Sequence, residues 1–190
     1  SIQKLKIKSS ENFQLLFVAS DLSARYKGFE LLIKSLQLLD DNAAVQTKLT
    51  LQIIGQGEIS ALPSFSPKIT LNFLGRQDIG NVHRLMTQSD GLIVPSLSEN
   101  FPGVIGEAQL MSCLVIASNI GGIPEMVENE VSGLLFEPNP ISCMNSIVRM
   151  MNIANRSSIE DTARKRAQRR HDPQVINFEY DQVIEKLTRQ

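Results

Sequence analysis

Short apolar runs that alternate with helix-type patterns are the feature that most restricts the fold of this chain. The apolar runs occupy residues 14–19, 49–54, 69–74, 91–94, 114–117 and 133–136. Most of their residues are apolar, without the strict alternation of a half-exposed strand, as is typical of strands covered on both faces of a parallel sheet. Amphipathic patterns such as that of residues 28–39 supply the crossover helices. The sequence therefore predicts an α/β fold, with a parallel sheet of about six strands between two layers of helices.

The order of these patterns along the chain divides it into three parts. The length of 190 residues fits one domain of ordinary size. Residues 1–12 have the character of a linker that enters the first strand, and residues 13–155 hold the alternating pattern. Residues 156–190 contain only helical patterns, and we expect these extra C-terminal helices to pack on the sheet domain or to face a missing domain. The last helices of the chain are predicted to start at Pro140, at Ser157 or Ser158, and at Asp172.

Charge and cysteine content exclude several classes of protein. There are 19 basic and 20 acidic side chains, so the net charge is -1, and no basic surface is expected that could bind nucleic acid. Cys113 and Cys143 lack metal or CxxC spacing, which favours reduced thiols and a cytoplasmic location. A basic cluster at residues 164–170 is predicted to be a solvated helix face, with contact to anionic lipid at the inner face of a membrane as the alternative.

The loop after the first predicted strand carries two cations. In an open parallel sheet, ligands bind beyond the carboxyl ends of the strands, and this loop lacks both the dinucleotide fingerprint and the P-loop motif. Arg25 and Lys27 instead stand directly before a helix, where positive charge is unfavourable unless an anion joins it. The placement indicates a local anion site, and an ordinary solvated loop remains the alternative.

Two glutamates follow the fourth predicted strand. Glu99 lies in the loop and Glu107 lies about one turn inside the next helix, which begins after Phe101, Pro102 and Gly103. The first N–H groups of that helix have no acceptor within it, and the glycine lets a ligand approach them closely. A carboxylate beside them could accept hydrogen bonds from ribose hydroxyls while the helix end faces phosphate. Two solvated surface charges are the alternative interpretation.

The remaining motifs are less informative. Gly121 and Gly122 could shape a second anion-facing loop or form a tight strand-to-helix turn. His83 and His171 have no histidine or cysteine nearby in sequence, so we expect structural or solvated roles for both. No cluster with metal-ligand spacing and no Ser-His-Asp arrangement can be assembled.

Taken in order, these motifs resemble the C-terminal domain of the family 4 glycosyltransferases over roughly residues 13–150. The matching segments are residues 27–29, 54–57, 73–75, 89–91, 95–96, 99–102, 107–108, 121–125 and 132–135. The resemblance implies one half of a GT-B fold, in which two Rossmann-like domains face a cleft. It further implies a retaining enzyme, whose N-terminal domain binds the acceptor and whose C-terminal domain binds a nucleotide-diphosphate sugar such as a UDP- or GDP-sugar. No metal or other cofactor is expected.

The resemblance also implies roles for particular residues. Lys27 matches the lysine that contacts the diphosphate, Glu107 the glutamate on the ribose, and Glu99 the glutamate near the donor sugar. The backbone segment implied at the sugar and phosphates comprises Phe101, Pro102, Gly103, Val104 and Ile105. The base is expected at Leu74, Gly75 and Arg76.

Two positions depart from the family pattern. The usual arginine after the first strand is replaced by Asp21 or Leu22, and Arg25 is expected to substitute for it as a third catalytic residue beside Lys27 and Glu99. Pro102 stands where a glycine is usual, a variant that resembles bacterial polysaccharide and lipopolysaccharide transferases. The expected acceptor is therefore a surface glycan or a lipid-linked glycan, bound through an N-terminal domain that this chain lacks.

Three other functions fit parts of the same pattern. A GT-B-like epimerase of UDP-sugars would also bind a nucleotide. A noncatalytic nucleotide- or partner-binding module of flavodoxin-like shape would use Asp21 in the manner of a phosphoacceptor. A glycoside hydrolase would use Glu99 and Glu107 as its pair of carboxylates.

Overall fold

The computed structural model describes residues 12–59, 61–175 and 177, which form an α/β domain with a single parallel sheet. Its strands are β1 (Asn12–Asp21), β2 (Lys48–Gln56), β3 (Ile69–Gly75), β4 (Gly91–Val94), β5 (Leu114–Ser118) and β6 (Leu134–Phe136). They lie in the order β3-β2-β1-β4-β5-β6, and every neighbouring pair is parallel. The predicted six-stranded, Rossmann-like sheet is thereby confirmed.

Over residues 12–170, six α-helices and one 3-10 turn lie between or after these strands. The helices are α1 (Phe29–Asp41), α2 (Ile79–Gln88), α3 (Gly103–Leu110), α4 (Ile123–Met126), α5 (Pro140–Asn152) and α6 (Arg156–Arg170). The 3-10 turn, Arg25–Lys27, directly precedes α1. Asp78 and Asn139 cap α2 and α5 by accepting hydrogen bonds from backbone N–H groups of the first turn.

The start of α6 corrects one prediction. Its N-cap position is Asn155, ahead of Ser157 and Ser158, and the Asn155 side chain makes no capping hydrogen bond. The two serines lie within the first turn and are exposed. A further helix starts at Pro173, one residue after the predicted Asp172. Most of its expected length lies outside the described residues, as do residues 1–11 of the linker expected over residues 1–12, whose last residue already belongs to β1.

Alternate residues of the strands supply two separate cores. Leu15 and Phe17 of β1 face one side, where α1 and α5 pack against the sheet. Leu16 of β1 and Leu92 of β4 face the other side, together with residues of α2 and α3. Because neighbouring side chains of a strand point to opposite faces, a strand between two helical layers must be apolar throughout. This requirement explains the continuous apolar runs of the sequence.

The sheet order creates one crevice at the carboxyl edge. The chain runs outward from β1 through β2 to β3, and then returns to place β4 on the other side of β1. The loops that follow β1 and β4 therefore diverge at this topological switch point, where ligands bind in open α/β sheets. A flavodoxin-like sheet has the order 2-1-3-4-5, so the observed order argues against the flavodoxin-like alternative.

Candidate functional site

An ion pair joins the two loops that flank the switch point. Lys27 ends the 3-10 turn after β1, and Glu99 lies in the loop after β4. The Lys27 Nζ donates to the Glu99 Oε2 at 2.6 Å, and the two side chains are only 25% and 17% exposed. The structure thus brings together two of the three residues predicted to be catalytic, although 72 positions separate them in the sequence.

The backbones of these two loops are packed against each other. The Leu97 N–H donates to the Tyr26 carbonyl at 2.7 Å. Gly28 has a φ of +71°, and a Cβ at that position would lie 1.7 Å from the Pro95 carbonyl oxygen. Only glycine fits such a contact, so Gly28 allows the cationic turn to approach the loop that carries Glu99.

Gly121 and Gly122 support the other side of the same loop. A Cβ at Gly121 would lie 1.9 Å from the Glu99 carbonyl oxygen, and one at Gly122 would lie 1.9 Å from that of Asn100. The Gly122 N–H also donates to the Glu99 carbonyl at 3.4 Å. Of the two sequence interpretations, the structure favours the tight turn, since these glycines contact protein backbone and position Glu99.

The helix α3 begins beside this ion pair. Pro102 occupies its N-cap position with a φ of -70°, which the proline ring favours. No side chain caps α3, and the first N–H groups of a helix have no acceptor within the helix. The Ile105 N–H donates to the Pro102 carbonyl at 3.0 Å, whereas Gly103 is exposed and Val104 is half-buried. Phe101 is 51% exposed, so the start of α3 is accessible from the crevice.

The Glu107 carboxylate contacts a side chain of α2 and is only partly exposed to solvent. Its Oε2 lies 3.3 Å from the His83 Nε2, and both side chains are about one-third exposed. The sequence interpretation missed this contact and treated His83 as unrelated to the site. Val82 and Met86 are the buried residues of α2, and His83 lies at the border of that buried face, a position that does not reveal from sequence which neighbour it contacts.

Of the segment expected to hold the base, Arg76 lines a groove at the carboxyl edge of the sheet, whereas Leu74 and Gly75 are not among its lining residues. Gly75 ends β3 with a φ of +65°, and the Leu74 carbonyl accepts a hydrogen bond from the Gln77 amide. Arg76 and Gln77 line a groove of about 380 Å³ beyond the ends of β1 and β2, together with Ser20. Apolar residues such as Val18 and Ile54 line the groove beside these polar side chains, a mixture suited to a planar ring with polar edges.

Arg25 lies apart from the ion pair. It is exposed and lines a second groove, of about 370 Å³, on the α1 side of the sheet. The pKa of the Glu30 carboxyl, in the first turn of α1, is lowered mainly by a hydrogen bond from Lys34 and by its charge, and to a lesser degree by Arg25. The role of Arg25 as a substitute for the family arginine therefore stays a prediction, without a contact to Lys27 or Glu99 that would support it.

Two cations of the basic cluster bind within the domain. Arg166 pairs with Glu128 at 2.5 Å, and Arg170 donates to the Gln109 side chain and the Met126 carbonyl. Partial burial lowers the pKa of the Arg170 guanidinium. These contacts join α6 to α3 and to the end of α4 with the residues that follow it, and membrane contact stays a prediction. Among the described residues, no helix combines the length and the apolar character needed to span a bilayer.

The part of the chain that the structure describes holds no group of three or more His, Cys, Asp or Glu side chains placed to share a metal ion. Both cysteines are buried. Burial raises the pKa of the Cys143 thiol to about 12, so this cysteine is a structural residue of the core rather than a nucleophile.

The fold and the site together define a Rossmann-like domain with an ion pair and a helix N-terminus at its topological switch point. Residues 12–152 match the family described as "Glycosyl transferases group 1". The chain belongs to this family.

Curated relatives agree with the family. The chain is 32% identical over 131 residues to an uncharacterised glycosyltransferase of Methanocaldococcus jannaschii, a match that covers 66% of the chain and 35% of the relative. It is 37% identical over 106 residues to a UDP-Gal:alpha-D-GlcNAc-diphosphoundecaprenol alpha-1,3-galactosyltransferase of Escherichia coli, covering 52% of the chain and 27% of the relative. The chain therefore spans about a third of the length of these proteins.

Solved structures show the same fold. HepE of Anabaena, crystallised in complex with UDP and glucose, has a TM-score of 0.70 at 23% identity, over 95% of this chain and 49% of that one. Sucrose-phosphate synthase of Thermosynechococcus elongatus has a TM-score of 0.69 at 23% identity, over 94% and 46%. The domain thus matches about one half of each of these GT-B glycosyltransferase structures.

Proposed function

We propose that the chain is the nucleotide-sugar donor-binding domain of a family 4, retaining glycosyltransferase. The observation that carries the proposal is the Lys27–Glu99 pair at the switch point, beside the start of α3. Its position supplies a cation for a diphosphate, a carboxylate for sugar hydroxyls, and helix N–H groups for phosphate oxygens. The galactosyltransferase of Escherichia coli and the UDP complex of HepE support a nucleotide-sugar as the ligand.

In the proposed complex the nucleotide lies across the carboxyl edge of the sheet. The base occupies the groove at Arg76. Glu107 accepts hydrogen bonds from the ribose hydroxyls, while His83 contacts the same carboxylate. The diphosphate lies between Lys27 and the first N–H groups of α3. These assignments follow the crevice from β3 to β4, in the order base, ribose, diphosphate, sugar.

During transfer, an acceptor hydroxyl forms a bond to the anomeric carbon on the face from which the diphosphate departs. The bond between that carbon and the diphosphate oxygen breaks, and the hydroxyl proton passes to the departing diphosphate. Negative charge grows on the departing diphosphate, and the Lys27 ammonium and the α3 N-terminus stabilise it. Arg25 contributes if its side chain turns toward the crevice. These protein groups take the part that a metal ion has in other transferases, so EDTA should leave nucleotide binding unchanged.

The acceptor belongs to the part of the protein that this chain does not span. We propose a surface glycan or a lipid-linked glycan, because the name of the Escherichia coli relative specifies an undecaprenol-linked acceptor and because the Pro102 variant resembles bacterial polysaccharide and lipopolysaccharide transferases. The enzyme is accordingly proposed to be a hexosyltransferase of surface glycan synthesis.

Calorimetric titration of the chain with UDP, GDP and ADP tests nucleotide binding. We expect heat of binding with at least one of them, and the absence of heat with all three at millimolar concentration would contradict the proposal. Glu107→Ala should weaken binding of that nucleotide by about ten-fold or more, because it removes charge-assisted hydrogen bonds to the ribose. The matched control is Glu125→Ala, which removes an exposed glutamate from the first turn of α4.

A further inference from the structure

We propose that Glu99 makes the site discriminate between a sugar-loaded nucleotide and the free nucleoside diphosphate. The inference rests on the proposed function and adds a specificity role that acts through Lys27. The carboxylate of Glu99 lies 2.6 Å from the Lys27 ammonium group, which a diphosphate also needs. Glu99 is therefore a competitor of the diphosphate for the same cation.

The Lys27–Glu99 ion pair is a structural part of the site and not a chance contact on the surface. Its side chains are 25% and 17% exposed, whereas those of the Arg149–Glu130 pair, which has the same 2.6 Å distance, are 53% and 51% exposed. The Lys27 ammonium also lies 5.1 Å from the centre of the Tyr26 ring, within cation–π range. Lower exposure reduces screening by solvent, so the charges of this pair act on each other and on a ligand more strongly than surface charges do.

Backbone movement cannot separate the two side chains easily. The turn that carries Lys27 packs through Gly28 against Pro95, and the loop that carries Glu99 packs through its own carbonyl against Gly121. Both contacts are too close for any residue with a Cβ. A ligand that takes Lys27 must therefore displace the Glu99 side chain by rotation, or share the ammonium with it.

Either outcome penalises a free nucleoside diphosphate. If the ammonium is shared, a phosphate oxygen bonded to it lies within about 5.5 Å of the carboxylate, and the two negative charges repel. If Glu99 rotates away, its carboxylate loses its partner in a partly buried position. A nucleotide-sugar removes this penalty, because hydroxyls of the sugar next to the diphosphate donate hydrogen bonds to the released carboxylate.

The same competition favours release of the product. Once the sugar has left, the nucleoside diphosphate no longer offers hydroxyls to Glu99. The carboxylate then forms the ion pair with Lys27 again and lowers the affinity of the site for the diphosphate. Glu99 thus makes the affinity for the ligand depend on the presence of the sugar.

The variant Glu99→Gln tests the inference, because it keeps the shape of the side chain and removes its charge. Calorimetry of the chain with UDP, GDP and ADP should show that the variant binds the preferred diphosphate about ten-fold more tightly than the wild type. For the matching sugar nucleotides, UDP-glucose, UDP-galactose, GDP-mannose or ADP-glucose, affinity should stay equal or fall. Glu130→Gln is the control, since it breaks an ion pair of equal length in the segment leading into β6, at the opposite edge of the sheet.

The outcomes separate the two proposals. An unchanged or weaker affinity of Glu99→Gln for the diphosphate, or an equal gain for diphosphate and sugar nucleotide, overturns the role of Glu99 while nucleotide binding stands. A wild-type protein that binds a free diphosphate as tightly as every sugar nucleotide overturns it too, without any variant. Absence of binding by wild type and variant with all three diphosphates contradicts the proposed function itself.

Discussion

At the scale of single residues, three glycines decide how close the loops of the site can come. Each of them, Gly28, Gly121 and Gly122, approaches a backbone carbonyl oxygen of the β4–α3 loop at a distance that leaves no room for a Cβ. The charged residues supply the chemistry of the site, but the glycines set the distance between Lys27 and Glu99. Substitution at a glycine should therefore affect both the stability of the fold and the binding of a ligand.

Gly28→Ala is expected to lower the free energy of unfolding by at least about 2 kcal/mol, because a left-handed backbone and a backbone collision are combined at one position. Gly75→Ala is the matched control, since Gly75 has a similar φ of +65° and nothing within 4 Å of an added Cβ. It should cost only about 1 kcal/mol of strain. Urea denaturation of both variants measures the difference, and equal losses would show that the contact with Pro95 is not tight.

The residues of the site differ in how far the sequence could predict them. Lys27 and Glu99 could be placed at one edge of the sheet, because each follows a buried strand, but their 2.6 Å contact depends on the Gly28 packing. The His83–Glu107 contact depends on how α2 and α3 lie beside each other, which side-chain periodicity does not encode. Arg25 was predicted from its charge and position alone, and its side chain lines a different groove.

At the scale of secondary-structure elements, a side-chain contact ties the end of α1 to the start of β3. Asp40 accepts hydrogen bonds from the Ser66 N–H at 2.7 Å and from its hydroxyl at 2.5 Å, and the Asp40 carbonyl accepts one from Lys68 at 2.6 Å. A carboxylate near a helix C-terminus is otherwise unfavourable. The hydrogen bonds from Ser66 offset that cost and lower the pKa of the Asp40 carboxyl.

The lowered pKa of Asp40 predicts a pH-dependent contribution to stability. The folded protein favours the ionised form, so the contribution is complete above the unfolded value of 3.8 and is lost as the pH falls through the lower pKa of the folded state. Asp40→Asn should lower the free energy of unfolding by about 1 kcal/mol at pH 7, and this difference should narrow below pH 3.8.

Denaturation with urea at several pH values measures the effect of Asp40→Asn. Asp41→Asn provides the control, because it removes the same charge from the next residue of α1, which is exposed. It should be neutral or slightly stabilising, since it relieves a negative charge at the helix C-terminus. A loss for Asp40→Asn that is the same at every pH would contradict the assignment of the contact to an ionised carboxylate.

Elements of the fold were more predictable than their contacts. The apolar runs placed all six strands, because a doubly covered strand must be apolar along its whole length. Their ends were missed by one or two residues at most of the strands, as at Asn12 and Gln56, where polar residues continue the ladder without leaving an apolar signal. The start of α6 was misplaced because serine is a common N-cap, whereas here Asn155 takes the position without a side-chain bond.

At the scale of the whole domain, the strand order places every loop of the proposed donor site at one edge. The loops after β1, β3 and β4 carry Lys27, Arg76 and Glu99, and all neighbouring strands are parallel. In the proposed complex, these loops hold the nucleotide without a residue from elsewhere, and the acceptor hydroxyl reaches the open side of the crevice, above the Lys27–Glu99 pair.

This division predicts that the chain binds a nucleotide-sugar but does not transfer the sugar efficiently. Without groups that orient an acceptor, the reaction lacks the effective concentration that positioning supplies, which in well-oriented systems amounts to about 7–11 kcal/mol of the barrier. The test is to incubate the chain with the nucleotide-sugar that it binds and with undecaprenol-linked or free saccharides. We expect it to release nucleoside diphosphate no faster than a Lys27→Met variant that has been saturated with the same nucleotide-sugar. Turnover by the wild-type chain well above that variant would show that the described domain itself holds an acceptor. The acceptor site would then have to be sought in the exposed surface around Tyr26, Leu97 and Phe101, which borders the ion pair.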